Sequence, residues 1–449
     1  MPMLNQQINA KKQRGGILGI QQTTPGSSSK PQSQLHHHKG RVHIVSSSAE
    51  LDNLLENHKK SCAVVFFTSA TCPPCKTLYP LYEELAAEVG DKGALIKVDT
   101  SKAFDIASRY SISATPTFIT FLRGQQENRW SGANPSALQG NVRLLVQMAF
   151  PAHPHQSLSL QQISNPGAKP VLYTKVPPLE KLLAKMGPAA IAQHPAIQGA
   201  KHFIETRAKD GPAEATLPDM VGFAAHVREQ VGKLPTEVLF TLVDLVRCGL
   251  IDPRFSGFLA EEKDQATVAT VLNHVNGLSE QDMLPYALRL VTLQMACNLF
   301  SSHLYPDQIL RSTSPLLGPI TDLIASSFLN EGHANVRVAA ASLLFNVALS
   351  NREKRRDGPG DVLPDGAQVQ LAASALEAIA NEDGSAEALE GMLLALGHLV
   401  YCCPLDGELA DLLRAMDASA TVLKQREHFP GMKLISEVGE ELLGKGLKK

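Results

Sequence analysis

The sequence has little net charge and lacks a long apolar run. Its formal net charge is −2 over 449 residues, with a pI near 6.7, so there is no overall basic excess of the kind that attracts nucleic acid or an anionic membrane. No uninterrupted apolar stretch reaches the roughly 18 residues that a membrane-spanning helix requires. The N-terminus has no apolar core followed by a small-residue cleavage site, so we expect no secretory signal.

Cysteine is also scarce. Seven cysteines, an odd number scattered over a long chain, do not form a disulfide framework. With 44% hydrophobic and 19% charged residues, the composition is that of a globular protein of two or three domains. We therefore expect an intracellular protein of the cytoplasm, with the nucleus as a second location.

The distribution of charge is more informative than its sum. Residues 1–41 carry +6, residues 42–212 carry +4 and residues 213–449 carry −12. Such asymmetry between segments indicates separate units.

Residues 1–41 are rich in Gln, Ser, Gly, Lys and His and have too few apolar residues to form a core. We predict that this tail is disordered. A three-histidine run, His36–His38, can bind a metal, but a short run in a polar tail is more often solvated. We expect no metal and no cofactor.

Residues 42–150 alternate predicted strands and helices, which indicates an α/β unit. The run CAVVFFT (Cys62–Thr68) is continuously apolar, as in a strand covered on both faces. Further strands are predicted at Val42–Val45, Ala94–Val98, Thr117–Leu122 and Glu127–Trp130, the last two forming a hairpin across Arg123-Gly124. The predicted helices are Ser47–Asn57, a helix from the CPPC motif to about Val89, Lys102–Tyr110 and Pro135–Phe150.

The motif Cys72-Pro73-Pro74-Cys75 follows the apolar strand and opens a helix. A CxxC in such a unit is either a redox pair or half of a zinc site. The remaining candidate zinc ligands, Cys62, His43 and His58, are badly spaced for a second pair. At a helix start, backbone N–H groups and the helix dipole favour the Cys72 thiolate, and Lys76 adds positive charge. Cys75, one turn later, is placed to resolve a mixed disulfide.

A second motif, Ser113-Ala114-Thr115-Pro116-Thr117, lies about 40 residues downstream, just before an apolar strand. Together the two motifs resemble the thioredoxin family over roughly residues 42–150. The resemblance implies that Cys72 is the nucleophile and Cys75 the resolving thiol. It also implies that Pro116, after Thr115, is a cis-proline that shapes the substrate groove and blocks metal capture.

Three departures from the thioredoxin pattern bear on activity. Thr71 stands where thioredoxins usually have Trp, and Phe66 stands where they usually have a buried carboxylate. Pro73-Pro74 stiffens the turn and removes a backbone donor. Two interpretations stay open: a competent dithiol that is a poor general reductase, and a vestigial fold used for docking. The other five cysteines lie in apolar contexts and are expected to be buried.

Residues 151–172 are rich in Pro, Ser and Gln without periodicity and are predicted to be a linker. Short helices are expected in residues 173–212. Residues 213–449 contain only amphipathic helices, and within them a sequence repeats: Arg289–Ser302 aligns with Arg337–Ser350, and Ala388–Cys403 follows as a weaker copy with His398 in place of Asn. The first two copies are offset by 48 residues. A helical unit that recurs at about this length is typical of an armadillo or HEAT solenoid; a plain helical bundle is the alternative.

Several of these stretches, including Leu234–Pro253 and the three copies of the repeat, resemble the PUL domain over roughly Pro218–Leu443. The PUL domain is an armadillo-like module found in ubiquitin-pathway proteins. The resemblance implies binding to the C-terminal tail of the AAA ATPase known as valosin-containing protein. A thioredoxin domain followed by PUL also resembles a fungal architecture in which some members carry a preceding PPPDE isopeptidase; residues 1–41 contain no Cys for such an enzyme.

Two groups of side chains are candidate peptide contacts on the solenoid. Asn298 and Asn346 each lie in a polar stripe at i, i+4, i+8, with Gln294 and Ser302 or with Ser342 and Ser350. They either bond the backbone of a bound peptide, as asparagines do in armadillo proteins, or cap loops within the solenoid. The basic run from Arg352 to Arg356, including Arg355, either attracts an acidic tail or is solvated.

The predicted architecture is thus an α/β thioredoxin fold joined by a linker to an all-α armadillo-like solenoid. The expected function is an adaptor that binds the ATPase tail. The alternative is a cytosolic thiol-disulfide oxidoreductase whose solenoid selects substrates, with thioredoxin reductase or client disulfides as partners. Neither nucleic acid nor a membrane is an expected partner.

Overall fold

The computed structural model describes residues 40–187, 189–280, 284–330, 332–357 and 361–448. Most of the predicted tail and the His36–His38 run lie outside these residues. The described chain divides into two compact units, one ending at His153 and one beginning at Pro154.

The first unit is built on a five-stranded sheet in the order β1-β3-β2-β4-β5. β1 and β2 both pair in parallel with β3, while β4 pairs antiparallel with β2 and β5 antiparallel with β4. The strands are β1 (Val42–Val45), β2 (Cys62–Thr68), β3 (Gly93–Asp99), β4 (Thr117–Leu122) and β5 (Gln125–Ser131). The β4–β5 hairpin turns at Arg123 and Gly124, both with positive φ, as a tight two-residue hairpin requires. The predicted strands and the predicted hairpin are confirmed.

Helices cover both faces of this sheet. They are α1 (Ser48–Asn57), α2 (Pro73–Lys76), α3 (Tyr79–Val89), α4 (Phe104–Arg109) and α5 (Pro135–Ala149). Ser47 caps α1 by accepting from the Glu50 N–H. Because side chains alternate along β2, Val64 and Phe66 belong to the core on one face of the sheet, and Val65 and Phe67 to the core on the other. The continuous apolar run is therefore a central strand buried on both sides.

The second unit is all-helical and has one continuous hydrophobic core. Its first helices are α6 (Leu179–Lys185), α7 (Ala189–Ala192), α8 (Pro195–Lys209), α9 (Met220–Val231), α10 (Thr236–Gly249), α11 (Pro253–Glu261) and α12 (Ala266–Glu280). The next are α13 (Tyr286–Asn298), α14 (Leu304–Ile309), α15 (Leu317–Phe328), α16 (Ala334–Asp357), α17 (Asp365–Asn381) and α18 (Ala386–Val400). The last are α19 (Glu408–Ala415), α20 (Ala418–Lys424), α21 (Lys433–Ser436) and a π-helix at Glu437–Lys445.

These helices form two rows. The first row is α10, α13, α16 and α18, each packed against the next, and it contains all three copies of the repeated sequence. The second row is α9, α12, α15 and α17, also packed in succession. A stack in which each pair contacts mainly its neighbours is a solenoid, as the repeat predicts.

The repeat prediction needs one correction. Ser302 does not continue the polar stripe of α13, because the α-helix ends at Asn298 and Leu299–Ser301 form a single 3₁₀ turn. Ser302 instead lies 3.2 Å, oxygen to oxygen, from the hydroxyl of Ser256.

The segment predicted as a linker is anchored on the helical unit by three buried residues, His155, Leu160 and Ile163. His155 is 1% exposed; its Nδ1 accepts the Cys402 N–H at 2.9 Å, and its Nε2 lies 3.0 Å from the Gly446 carbonyl oxygen. Ile163 is fully buried. A segment without periodicity can be held in this way because helix side chains and helix ends satisfy its backbone, which composition does not reveal.

Among the described residues, no helix is both long enough and apolar enough to span a bilayer.

Candidate functional site

The first candidate site lies where β2 ends and α2 begins. Cys72 is the N-cap of α2, and Pro73 and Pro74 fill its first two positions, where a missing N–H costs nothing. Cys72 and Cys75 form a disulfide. Cys72 is 7% exposed and Cys75 is fully buried, so an incoming thiolate reaches Cys72 first. The Cys75 N–H points at the Cys72 sulfur at 3.2 Å, a contact that favours a thiolate at Cys72 once the disulfide is reduced.

The second predicted motif forms the opposite wall of this site. The Thr115–Pro116 peptide bond is cis, as the resemblance implies. The carbonyl oxygen of Thr115 lies 3.5 Å from the Cys72 sulfur. Thr71, Pro73, Pro74 and Lys76 are exposed around the sulfur. The motifs separated in sequence thus converge on one accessible sulfur.

Beneath the disulfide, aromatic rings occupy the position where the resemblance places a carboxylate. The fully buried Phe66 ring stacks on Phe118, with centroids 4.6 Å apart, and meets Tyr82 edge-on at 5.2 Å. Lys97 lies opposite Phe66 in the β2–β3 register, and its ammonium nitrogen is 4.5 Å from the centre of the Tyr79 ring. Phe66 therefore offers no group to take a proton from Cys75, which disfavours fast turnover.

Four of the other five cysteines are buried, as predicted, whereas Cys402 is only half-buried. Burial raises the pKa of Cys62 and of Cys403 to about 11 and that of Cys248 to about 12. Burial also raises the pKa of Cys297 and of Cys402. Thiols of this kind are poor nucleophiles at neutral pH.

The second candidate site is a ladder of side chains on the first row of helices. Asn346 on α16 accepts the Val171 N–H at 2.7 Å and donates to the Val171 carbonyl at 2.9 Å. Asn298 on α13 does the same for Tyr173, at 2.8 and 3.0 Å. The two asparagines are fully buried, and they form hydrogen bonds with the backbone of alternate residues of an extended segment.

Each asparagine is also tied to the preceding repeat. Asn298 donates to the Arg247 carbonyl at 2.9 Å, and Asn346 donates to the Cys297 carbonyl at 3.4 Å. Both therefore bridge the end of one first-row helix to an extended chain. The structure shows the second of the two alternatives that the sequence left open, since every backbone group that these asparagines bond belongs to this chain.

Arg247 continues the ladder along α10. Its guanidinium donates to the carbonyl of Tyr173 and, at 2.9 Å, to the carbonyl of Lys175. Asp244 pairs with it at 2.5 Å, and the Arg247 side chain is 5% exposed. Arg247 is not among the site residues that the sequence predicts. Its place 51 residues before Asn298, close to the 48 residues that separate Asn298 from Asn346, is the signal that could have found it.

The predicted basic cluster is not an open patch. Arg355 has a side chain only 6% exposed, paired with Asp361 at 2.6 Å and donating to the carbonyls of Tyr401 and Leu399. Arg352 donates to His398 Nδ1 at 2.9 Å and lies over the Tyr401 ring. Arg356 is exposed. Arg355 and Arg352 thus hold the α16–α18 junction together, which corrects their assignment as peptide contacts.

Two family models match the chain. The Thioredoxin model covers residues 42–143, and the PUL domain model covers residues 165–441, more than half of the sequence. The chain belongs to the PUL family and carries a thioredoxin-family domain ahead of its PUL domain. PUL domains are protein-interaction domains, and thioredoxin domains act on client proteins.

Individual relatives match only the part of the chain that they share. Thioredoxin H4-1 of Oryza sativa is 30% identical over 112 residues, which is 24% of this chain and 85% of the relative. Thioredoxin Y, chloroplastic, of the same species is 40% identical over 88 residues, covering 20% of this chain and 52% of the relative. The peptide-N(4)-(N-acetyl-beta-glucosaminyl)asparagine amidase of Caenorhabditis briggsae is 38% identical over 115 residues, covering 25% of this chain and 19% of the amidase. The chain thus spans about half of rice thioredoxin Y and about a fifth of the nematode amidase.

Among solved structures, the thioredoxin of Malassezia sympodialis is 32% identical, with a TM-score of 0.23, and covers 25% of this chain and 98% of its own. The thioredoxin of Schistosoma mansoni is also 32% identical, with a TM-score of 0.23, and covers 24% of this chain and 96% of its own.

Proposed function

We propose that this protein is an adaptor whose PUL solenoid binds the C-terminal tail of a valosin-containing-protein-type AAA ATPase. In this role it serves the ubiquitin pathway in the cytoplasm. The observation that carries the proposal is the ladder of Asn346, Asn298 and Arg247. The two asparagines satisfy both backbone groups of Val171 and Tyr173 in an extended stretch of this chain, and Arg247 holds the carbonyls of Tyr173 and Lys175. A C-terminal tail is a ligand of that form, and side-chain amides recognise its backbone without requiring it to fold.

The thioredoxin domain brings the Cys72–Cys75 disulfide to proteins that the ATPase handles. A client thiolate attacks the Cys72 sulfur, the Cys72–Cys75 bond breaks, and Cys75 leaves as the thiolate. A second client thiolate then attacks the client sulfur of the mixed disulfide and releases Cys72. The client dithiol is oxidised to a disulfide, and the protein is left as the dithiol, with one electron pair transferred.

A second function, general thiol-disulfide reduction, is favoured by the exposure around Cys72 and by the cis Pro116 beside it. In this function thioredoxin reductase keeps the pair reduced, and the solenoid selects substrates. The aromatic filling around Phe66 weighs against it, because no carboxylate assists Cys75. We therefore place the adaptor first.

The adaptor proposal is tested by calorimetric titration of the full chain with a peptide of the last ten residues of the ATPase. We expect saturable binding with one site per chain, and no heat from a peptide of the same composition in scrambled order. The Cys72→Ser variant is the matched control and should bind equally, since the redox site has no part in the ladder. Heat that is the same for both peptides, or absent for both, would remove the ATPase tail from the proposal.

A further inference from the structure

The segment that fills the ladder has an unusual place in the fold. Residues 164–178, which we call the strap, run between two buried anchors, Ile163 and Leu179, that are 0% and 3% exposed. No strap side chain is fully buried, although the half-buried side chains of Tyr173 and Val176 pack against the helical core. The strap can therefore leave the surface while both anchors stay in the core.

The strap backbone is satisfied by side chains from the solenoid. In the part of the chain that the structure describes, residues 169–177 form no backbone–backbone hydrogen bond. Val171 and Tyr173 are bonded by Asn346 and Asn298, and Arg247 holds the carbonyls of Tyr173 and Lys175. This is how a protein holds a peptide ligand, rather than how it incorporates a strand or a helix.

Proline keeps the strap in the form that the ladder accepts. Pro170, Pro177 and Pro178 fix φ near the extended region and prevent the strap from joining a helix. None of them stands at position 171 or 173, where an N–H is needed. The strap is thus preorganised for the ladder.

An empty ladder is unfavourable. Asn298 and Asn346 are fully buried, and removal of the strap would cost their amide groups the N–H and C=O partners in Tyr173 and Val171, leaving only the bonds to the Arg247 and Cys297 carbonyls. Any extended peptide with free N–H and C=O groups at two alternate residues restores these bonds equally well. Exchange between the strap and such a peptide therefore keeps the number of hydrogen bonds constant. The side chains of the strap and of the peptide then determine which of the two binds the ladder more tightly.

We propose that the strap is the resident ligand of an exchangeable peptide site, and that a partner binds by displacing it. The partner is an extended peptide with non-proline residues at positions i and i+2. Position i+2 favours an aromatic hydroxyl, because the Tyr173 hydroxyl lies 3.4 Å from that of Ser342. A carbonyl at i+4 takes the place of the Lys175 carbonyl on Arg247. This assignment rests on the proposed function and gives its tail-binding site a location and a competitor.

The test uses the full chain and a fluorescent peptide of residues 168–177, AKPVLYTKVP. Val171→Pro removes the N–H that Asn346 accepts and leaves the ladder itself intact. Leu172→Pro is the matched control, because the Leu172 side chain is not part of the packed core and no ladder residue bonds its backbone. By fluorescence anisotropy, we expect Val171→Pro to bind the peptide at least tenfold more tightly than wild type, and Leu172→Pro to bind it as wild type does.

Two results would overturn the inference. One is a Val171→Pro protein with unchanged helical circular dichroism that gains no affinity for the peptide. The other is a Val171→Pro protein that loses its helical signal, which would make the strap part of the folding core. Hydrogen exchange on the unmutated protein decides the same point: the Val171 and Tyr173 amides should exchange before those of α13 and α16, and exchange only on global unfolding would contradict the inference.

The failure of this inference is distinguishable from failure of the proposed function. If the strap peptide gains affinity for Val171→Pro while the ATPase tail peptide binds no variant, the exchangeable site stands and the ATPase partner is wrong. If the tail peptide binds wild type and Val171→Pro equally while the strap peptide binds neither, the ATPase partner stands and the exchangeable site is wrong.

Discussion

In the third copy of the repeat, His398 stands where Asn298 and Asn346 stand in the first two. Its side chain is buried, at 1% exposure, and its Nδ1 accepts a hydrogen bond from Arg352 at 2.9 Å. Burial, with a smaller effect from the Arg352 charge, lowers the pKa of His398 to about 3. The imidazole is therefore neutral near pH 7 in the folded solenoid.

Acid should destabilise the solenoid through His398. An ordinary histidine has a pKa of about 6.5, so the unfolded chain takes up a proton as the pH falls below that value while the folded chain does not. The stabilisation that comes from keeping His398 neutral is thus fully present above pH 6.5 and declines as the pH falls from 6.5 towards 3. Between pH 7 and pH 5, denaturant titration should show wild type losing about 2 kcal/mol more than His398→Asn.

Asparagine is the appropriate replacement because it does not titrate and is the residue found at this position in the other two copies. Parallel stability curves for wild type and His398→Asn across this range would show that His398 is protonated in the folded protein.

We expect Phe66 to limit the rate at which the Cys72–Cys75 pair turns over. Replacing it with Asp places a carboxylate where the thioredoxin pattern has one, and general base assistance to Cys75 should raise the rate of insulin reduction in the presence of thioredoxin reductase by roughly tenfold or more. Phe66→Asn removes the same ring without supplying a base, so it should lose stability as Phe66→Asp does and gain no rate. Cys72→Ser gives the background rate.

Equal rates for Phe66→Asp and Phe66→Asn would show that proton transfer from Cys75 does not limit turnover. Wild-type turnover matching that of an ordinary thioredoxin would favour the oxidoreductase over the adaptor.

At the scale of elements, the junction between α16 and the turn after α17 depends on a buried ion pair. Glu382 has a fully buried side chain and accepts from Arg337 at 2.7 Å; it also accepts the N–H groups of Gly384 and Ser385. Glu382→Gln keeps the shape but leaves the Arg337 charge without its counter-charge. Urea denaturation should show a loss of about 3–5 kcal/mol.

An exposed pair provides the comparison. Lys233 and Glu229 are 2.7 Å apart with side chains more than half exposed, so Glu229→Gln should cost less than about 1 kcal/mol. Adding Arg337→Met to Glu382→Gln should recover part of the loss, since no uncompensated charge then remains. A Glu382→Gln loss as small as that of Glu229→Gln would mean that solvent reaches the junction.

The elements themselves were largely predictable, and the irregular segments were not. CAVVFFT predicted a doubly covered strand, and the Asn298 and Asn346 copies predicted equivalent helices, because apolar periodicity directly reports a buried face. The strap has no periodicity, since its backbone is held by side chains distant in sequence. The sequence therefore predicts a linker up to residue 172 and short helices from residue 173, and it does not indicate the ladder contacts. The prediction that the basic run contacts a peptide was wrong for a related reason. The sequence shows that Arg355 carries a charge, but it does not show that Asp361 pairs with it.

At the scale of the whole molecule, the chain combines two units with different chemistry. The first presents one accessible sulfur, and the second presents a ladder for an extended backbone. The acidic character of residues 213–449 coexists with a ladder that recognises neutral amide groups and places one arginine, Arg247, on the bound carbonyls. We therefore expect tail binding to depend more on backbone register than on net charge, and to change little with salt.

The most direct measurement of the central claim is hydrogen exchange of the full chain, followed by mass spectrometry, with and without the ATPase tail peptide at saturation. We predict that the peptide removes protection from residues 168–177 while the ladder helices α13 and α16 keep theirs. Unchanged protection of residues 168–177 at saturating tail peptide would contradict the claim that the solenoid binds its partner at the ladder.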